Sequence, residues 1–338
     1  MELCTPLDPF DDLVDWLEGA RSQDHLIAIL KGSRQLTSDE AADRARRGSF
    51  FAGSAVDFID SARNARPQAA FLPCYYAILN LSKLMLACSD DSSSVDGALY
   101  HGAAYPVAQK NSQFLFTEIV NIHPDGVFAK LYRLLSGRSV PLRKRDGKKR
   151  PRALQIRNVY DRLFGVGAEY SRCSGAAPTK FACVTKVAKR QPTKEHNGQA
   201  RWSAKITTFS NEPFSATQVL PPFPQWEQDT NDPYTWYSPA LSTESAELDQ
   251  VICRQLLALP SRAVNYEGRF ILPHGRLCFT DQLAIFLALF HLSSIVRYKP
   301  RFMDVIQQSD AWPLVLCARR HLLYEFVVAT LSFLFQRN

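Results

Sequence analysis

The chain has 338 residues, 46% hydrophobic and 22% charged, which excludes wholesale disorder and supplies enough apolar surface for one large core or two of average size. A net charge of +7 with a pI near 9.0 leaves an anionic partner open, nucleic acid or an acidic membrane surface, and excludes a tail of pure charge. No P-loop, Gly-rich dinucleotide turn, HExxH, GxSxG or kinase signature set occurs, so no cofactor is implied and no reaction can be read from a motif.

The opening MELCTPLDPFDDLVDW places acids where a secretory signal places bases, and no apolar run follows it. A cytoplasmic protein is expected. The eight cysteines are scattered, with no CxxC pair and no histidine at zinc-finger spacing, which argues against a metal site and for a reducing compartment. Cys74 and Cys317 lie in apolar runs, where a thiol acts as a small buried hydrophobe.

In chain order, Asp8-Pro9 opens a short amphipathic helix through Leu17. Thr37 and Glu40 form a capping box ahead of Phe50, Phe51, Val56, Phe58 and Ile59 at helical spacing. Residues 69–88 form a stronger helix, whose Pro73 falls in the first turns where proline is tolerated. Residues 89–97, SDDSSSVDG, break it. The pattern FLFTEIVNI over 114–122 suits a buried strand, and 127–135 a helix ended by Gly137.

A basic block follows. Between Arg133 and Arg162 stand eleven Lys or Arg against Asp146 and Asp161, a net +9 that exceeds the charge of the whole chain and leaves the remainder slightly acidic. Residues 180–187 and 201–209 alternate as strands on either side of Asn197-Gly198, a pair that type I′ turns favour, and 267–272 offers a third. Residues 221–239, rich in proline and aromatics, read as an irregular crossover. Helices are expected over 245–259, 281–298 and 321–335. The longest apolar runs, 283–296 and 322–335, carry His291, Ser293, Ser294 and Glu325. They are too short and polar to span a bilayer, so no membrane partner is expected.

These elements describe an α+β fold, mainly helical: a helical bundle core built from N-terminal and C-terminal helices, with a small antiparallel sheet inserted between them. The expected organisation is a helical region over 1–135, a basic loop, hairpin and crossover over 136–244, and helices over 245–338 that complete the core.

Three stretches, FLPCYYAILNLSK from Phe71 to Lys83, the pair His101-Gly102, and LFHLSSIVRYKP from Leu289 to Pro300, resemble the YaaC-like proteins of bacteria. The resemblance runs in patches over roughly the whole chain and implies a cytoplasmic bacterial protein, but brings no catalytic residues. A wider similarity is to the HEPN helical bundles, many of them RNases of toxin and antiphage systems. Those enzymes carry Arg, four to six residues, then His on one helix, whereas here Lys83 and His101 are 18 positions apart with a loop between. The spacing recurs at Arg190 to His196 and Arg269 to His274, each interrupted by proline and neither on a credible helix.

Two constellations carry chemistry. On the 69–88 helix Tyr76, Asn80 and Lys83 fall within a stripe about 60° wide. With His101 they could seat an anion or a phosphodiester, His101 acting as general acid or base. The alternative is a structural network, with Asn80 bonded to a neighbouring loop and Lys83 snorkelling or paired with a carboxylate. On the 281–298 helix His291, Ser294 and Tyr298 share a face beside Arg297, which could join Lys83 as a second cation. The other reading has Arg297 and Lys299 satisfying the last carbonyls, and Glu325, costly if buried alone, pairing with Lys83 or Arg297.

The second constellation is the block RKRDGKKRPR: Arg143, Lys144, Arg145, Lys148, Lys149, Arg150 and Arg152. Its Asp146-Gly147 suggests a turn at the tip of a hairpin that grips phosphates without reading sequence. A second basic set (Lys180, Lys186, Lys189, Arg190, Lys194, Arg201, Lys205) lies on or beside the 180–209 hairpin. Three functions follow as expectations: a protein of a bacterial defence or stress module that binds nucleic acid, RNA or DNA, through the basic loop; a metal-independent RNase of diverged HEPN type using Lys83, His101 and Arg297; and a non-catalytic assembly subunit whose aromatic crossover meets a protein partner or a second copy.

Overall fold

A computed structural model describes residues 9–34, 36–89, 95, 100–106, 115–136, 139–140, 143–145, 148–161, 163–175, 181–190, 201–208, 227–237, 262–266, 269–273 and 280–335. The chain divides into two compact units, Met1–Ala176 with Gln282–Asn338, and Ala177–Asp281. The fold is α+β and mainly helical.

The first unit begins with α1 (Pro9–Gly19), α2 (Gln23–Arg34), α3 (Ser38–Asn64) and α4 (Phe71–Ala87). Helix α3 starts at the expected capping box: Glu40 N–H donates to the Thr37 hydroxyl, and the Glu40 carboxylate accepts from Thr37 N–H at 3.0 Å. Its buried face includes the expected Val56 and Ile59 and otherwise differs from expectation. Ala41, Ala45, Gly48, Ala52, Ala55, Ile59 and Ala62 are buried, whereas Phe50 is exposed. Positions spaced alternately by four and three make one stripe, and small residues on it let α3 lie close against α4. A Cβ at Gly48 would stand only 3.0 Å from Cys88 Sγ and from Leu26 Cδ2.

Every residue of α4 is buried except five: Leu72, Pro73, Tyr76, Asn80 and Lys83. Three of these are the polar stripe expected from the sequence, here the half-exposed ridge of an otherwise enclosed helix.

The unit continues with β1 (Ala103–Ala104), a single 3-10 turn at Leu115–Thr117, β2 (Ile119–Ile122) and α5 (Val127–Ser136). The strand expected over 114–122 is therefore shorter. Next come β3 (Arg143–Arg145), β4 (Lys148–Arg150), β5 (Arg152–Gln155), α6 (Arg157–Tyr160) and α7 (Phe164–Ser174). Strand β2 lies between β1 and β5 in an antiparallel three-stranded sheet, with Val120 and Ile122 turned into the core.

In the second unit β6 (Phe181–Arg190), β7 (Arg201–Thr208), β8 (Glu227–Gln228), β9 (Thr235–Tyr237), β10 (Arg262–Tyr266) and β11 (Arg269–Pro273) form an antiparallel sheet in the order β10-β11-β6-β7-β9-β8. The three expected strands are at its centre. The crossover expected to be irregular adds two short ones, because Asp229 and Asp232 close a tight turn: Tyr237 O–H donates to Asp229 at 2.9 Å and Thr235 O–H to Asp232 at 2.7 Å. The Asn197-Gly198 turn and the helix expected over 245–259 lie outside the described residues.

The chain re-enters the first unit with α8 (Asp281–Tyr298), α9 (Pro300–Gln307) and α10 (Trp312–Phe335). Helix α10 begins nine residues before the expected His321. Apolar helices distant in sequence do meet: Tyr75 of α4 stands edge-on to Phe286 and Phe290 of α8, and Thr330 of α10 reaches Met85 of α4. Arg34 ties two helix ends, donating to Cys88 O and Phe333 O at 2.9 Å each. No helix among the described residues is long and apolar enough to cross a membrane.

Candidate functional site

His101 and Gly102 precede β1, pressed against the start of α5. The first amides of a helix lack intrahelical partners; here Val127 N–H donates to Tyr100 O at 2.8 Å and Phe128 N–H to His101 O at 3.0 Å. Two glycines make the approach possible. Gly102 and Gly126 have φ of 78° and 98°, and a Cβ on Gly126 would fall 2.5 Å from Gly102 N. The loop that carries His101 is thus fixed by backbone bonds.

Against this loop lies α4. The Tyr75 hydroxyl and His101 Nδ1 are 2.5 Å apart, and the two rings stack with centroids separated by 5.5 Å. Burial pushes the Tyr75 phenol well above its ordinary range, so the hydroxyl keeps its proton. With no other acceptor for it among the described residues, the hydroxyl donates to Nδ1, and a neutral His101 carries its own proton on Nε2.

Burial first, then the charges of Lys83 and Arg297, hold the His101 pKa below its ordinary value. The ammonium of Lys83 lies over the Phe51 ring at 5.5 Å, and the exposed guanidinium of Arg297 is 5.4 Å from the Tyr298 centroid. Neither forms an ion pair among the described residues. The rest of the stripe is structural in its contacts: Tyr76 stacks on Phe58 at 5.2 Å, and Asn80 donates to Tyr76 O on its own helix at 2.8 Å rather than to a loop.

Two expected members belong elsewhere. His291 is fully buried and does not join Lys83; its Nε2 is 2.7 Å from Glu118 Oε2. Glu118, at 0% side-chain exposure, also meets Lys299 Nζ at 2.9 Å and accepts from Tyr105 O–H at 2.6 Å. Lys299 therefore serves a buried carboxylate rather than the last carbonyls of α8. Ser294 bonds back to Phe290 O, and Tyr298 stacks on Tyr105 at 6.4 Å and 6°. Glu325, 7% exposed on α10, pairs with neither Lys83 nor Arg297.

Sequence patterning does not single out Tyr75, Tyr105, Glu118 or Lys299 as members of a buried network. One signal exists: Glu118 is the lone acid of FLFTEIVNI, and an acid in a buried segment needs partners. Tyr75 gives none, because an aromatic on an apolar helix reads as core.

The basic block forms a ribbon. Strands β3 and β4 pair Arg143 with Arg150, Lys144 with Lys149 and Arg145 with Lys148, while Arg152 stands apart on β5, opposite Ile122. The Asp146-Gly147 turn lies outside the described residues. Of the two Arg-to-His spacings, Arg190 and Arg269 stand on strands β6 and β11, while His196 and His274 lie outside the described residues. No group of metal-binding side chains occurs among the described residues.

No curated protein and no solved structure matches the chain. The resemblance carried by the α4 helix, the His101-Gly102 loop and the end of α8 is matched by the family described as YaaC-like protein, which covers residues 21–326; the chain belongs to that family.

Proposed function

We propose that the protein binds the phosphate backbone of nucleic acid through the β3–β4 ribbon. The observation that carries this reading is the register, which sets a cation opposite a cation three times in succession. Like charges directly opposed across an antiparallel pair destabilise it, and an anion lying along the ribbon relieves that repulsion. By the two-residue period of a strand, Arg143, Arg145, Lys148 and Arg150 fall on one face and Lys144 and Lys149 on the other. Such a surface grips phosphates without reading bases. The setting we propose is the bacterial cytoplasm, within a defence or stress module. The test is binding to RNA and DNA across a salt series. Replacing the six cations with Gln should weaken binding and flatten the salt dependence by about 0.7 to 0.9 in log–log slope for each phosphate that is no longer neutralised; unchanged binding would sink the idea.

A second reading is favoured by the positive charge that Lys83 and Arg297 exert on His101: a metal-independent endoribonuclease of diverged HEPN type, the cations stabilising charge on the phosphorane and His101 moving the proton. The Tyr75 bond weighs against base catalysis, since Nε2 already bears the proton of the neutral ring. RNA cleavage in the presence of a chelator, abolished in His101→Ala, supports this reading. A wild type inactive on several RNAs ends it.

A further inference from the structure

We infer that the β3–β4 ribbon lies in the major groove of B-form duplex DNA, with β3 along one phosphodiester backbone and β4 along the other, an assignment that rests on the phosphate-binding reading of the ribbon and names its nucleic acid.

Neither face of the ribbon has anything to bury. An antiparallel sheet commonly packs one face on a core, and the three-stranded sheet of the same unit does so with Val120, Ile122 and Leu154. In β3 and β4 every position is Lys or Arg, so by the two-residue period both faces are cationic. Among the described residues the two strands form a sheet by themselves. A lone two-stranded hairpin is at best marginally stable in water, and three directly opposed pairs of like charge weaken this one further. An anion that offsets the repulsion has to serve both strands at once.

The layout of charge selects that anion. Each strand carries three cations, whereas a single polyanionic strand offers one row of phosphates and leaves part of the ribbon opposed. The major groove of B-DNA is about 12 Å wide and admits a two-stranded β-ribbon, with a backbone on either side. Paired strands lie about 4.8 Å apart, which leaves roughly 3 to 4 Å on each flank, a gap that the aliphatic stems of Lys and Arg can span. Strand β3 then supplies three cations to one wall of the groove and β4 three to the other.

Other nucleic acids fit less well. The major groove of A-form RNA is deep and narrow and closed to such an element, and the minor groove of B-DNA is only about 6 Å wide. Unpaired strands are held by bases stacked on aromatic rings, and no aromatic residue occurs between Arg133 and Tyr160.

The experiment follows fluorescence anisotropy of three labelled probes of equal length with the full chain across a salt series: a DNA duplex, the RNA duplex of the same sequence, and oligothymidine. The log–log slope against salt should be about −5 for the DNA duplex, six phosphates being neutralised, and about −3 for oligothymidine, which meets one face. The RNA duplex should bind about tenfold more weakly than the DNA duplex, or weaker still. Arg143→Gln with Lys144→Gln and Arg145→Gln should remove about half of the duplex slope, and so should Lys148→Gln with Lys149→Gln and Arg150→Gln. At saturation, dimethyl sulfate should find guanine N7 in the major groove protected and adenine N3 in the minor groove open. Circular dichroism of each variant confirms its fold. A variant with all six cations changed to Gln that binds like the parent overturns the phosphate-binding reading itself. Where that variant does lose binding, four results overturn the assignment to the major groove: a single strand or RNA duplex bound as tightly as the DNA duplex, heparin competing as well as the duplex, one strand's three cations carrying the whole slope, or protection at adenine N3 alone.

Discussion

Glu118 and His291, 173 positions apart in the chain, meet at 2.7 Å with neither side chain exposed to solvent. The same carboxylate holds Tyr105, four residues beyond His101, and Lys299, two residues beyond Arg297. A buried charge is tolerated when its lone pairs are filled, and here the groups that fill them belong to the two segments that carry His101 and Arg297. The carboxylate thus fixes the spacing of the candidate site from beneath.

Breaking this hub should be costly. Glu118→Gln removes the charge opposite Lys299 and should lower the stability of the first unit by about 3 to 5 kcal/mol. Tyr105→Phe removes one bond to a charged acceptor and should cost about 1.5 to 3 kcal/mol. Denaturant unfolding checks both, and an unshifted midpoint in Glu118→Gln would mean that the carboxylate does not hold the segments together.

Close approach of the two glycines makes a separate prediction. Gly126→Ala would place its Cβ 2.5 Å from Gly102 N and 2.7 Å from Tyr100 O, at a φ of 98°. All three of the nearest atoms are backbone, so no side chain can swing aside. The substitution should destabilise by about 1 to 3 kcal/mol and displace the His101 loop, read as a shift of the His101 imidazole signals in NMR. A variant with parental stability and shifts would contradict the close approach.

At the start of α3, Thr37→Ala deletes the hydroxyl that accepts from Glu40 N–H and should cost about 1 kcal/mol, within the range for missing N-caps. Thr37→Ser should restore most of it, because serine carries the same acceptor. Equal stability of all three proteins would show that the box contributes nothing.

The elements legible in the sequence are those whose signal is local. The capping box at Thr37 and Glu40, the bounds of Asp281–Tyr298 and the half-exposed stripe on α4 all follow from periodicity and turn chemistry. What stays hidden depends on distant pairing. Phe50 and Phe51 have the spacing of a core face, but the alanine stripe takes that role on α3 because α4 lies too close for large side chains. His291 and Arg297 share one helix, yet His291 turns inward to the carboxylate just ahead of β2 and Arg297 outward to solvent. Six positions set the two about 120° apart around α8, but the spacing does not reveal that a carboxylate 173 positions away claims His291.

The pH behaviour of His101 tests the electrostatics around its imidazole. Its pKa lies below the ordinary 6.5, chiefly through burial and then through Lys83 and Arg297, while Tyr75 faces it with an uncharged hydroxyl. Above 6.5 the ring is neutral in folded and unfolded chains alike, and His101 adds no pH dependence. As pH falls from 6.5 towards the depressed folded value, the unfolded chain takes up a proton that the folded chain refuses, so stability declines across that window and levels off below it. Lys83→Gln and Arg297→Gln should each raise the folded pKa part of the way back, burial accounting for the remainder. A bound phosphodiester should raise it too, since an anion favours the imidazolium. Following the His101 Cε1–H resonance through a pH titration reads all three. If neither substitution moves the titration, the cations do not act on the imidazole, and the reading in which they serve one reaction with His101 falls with them.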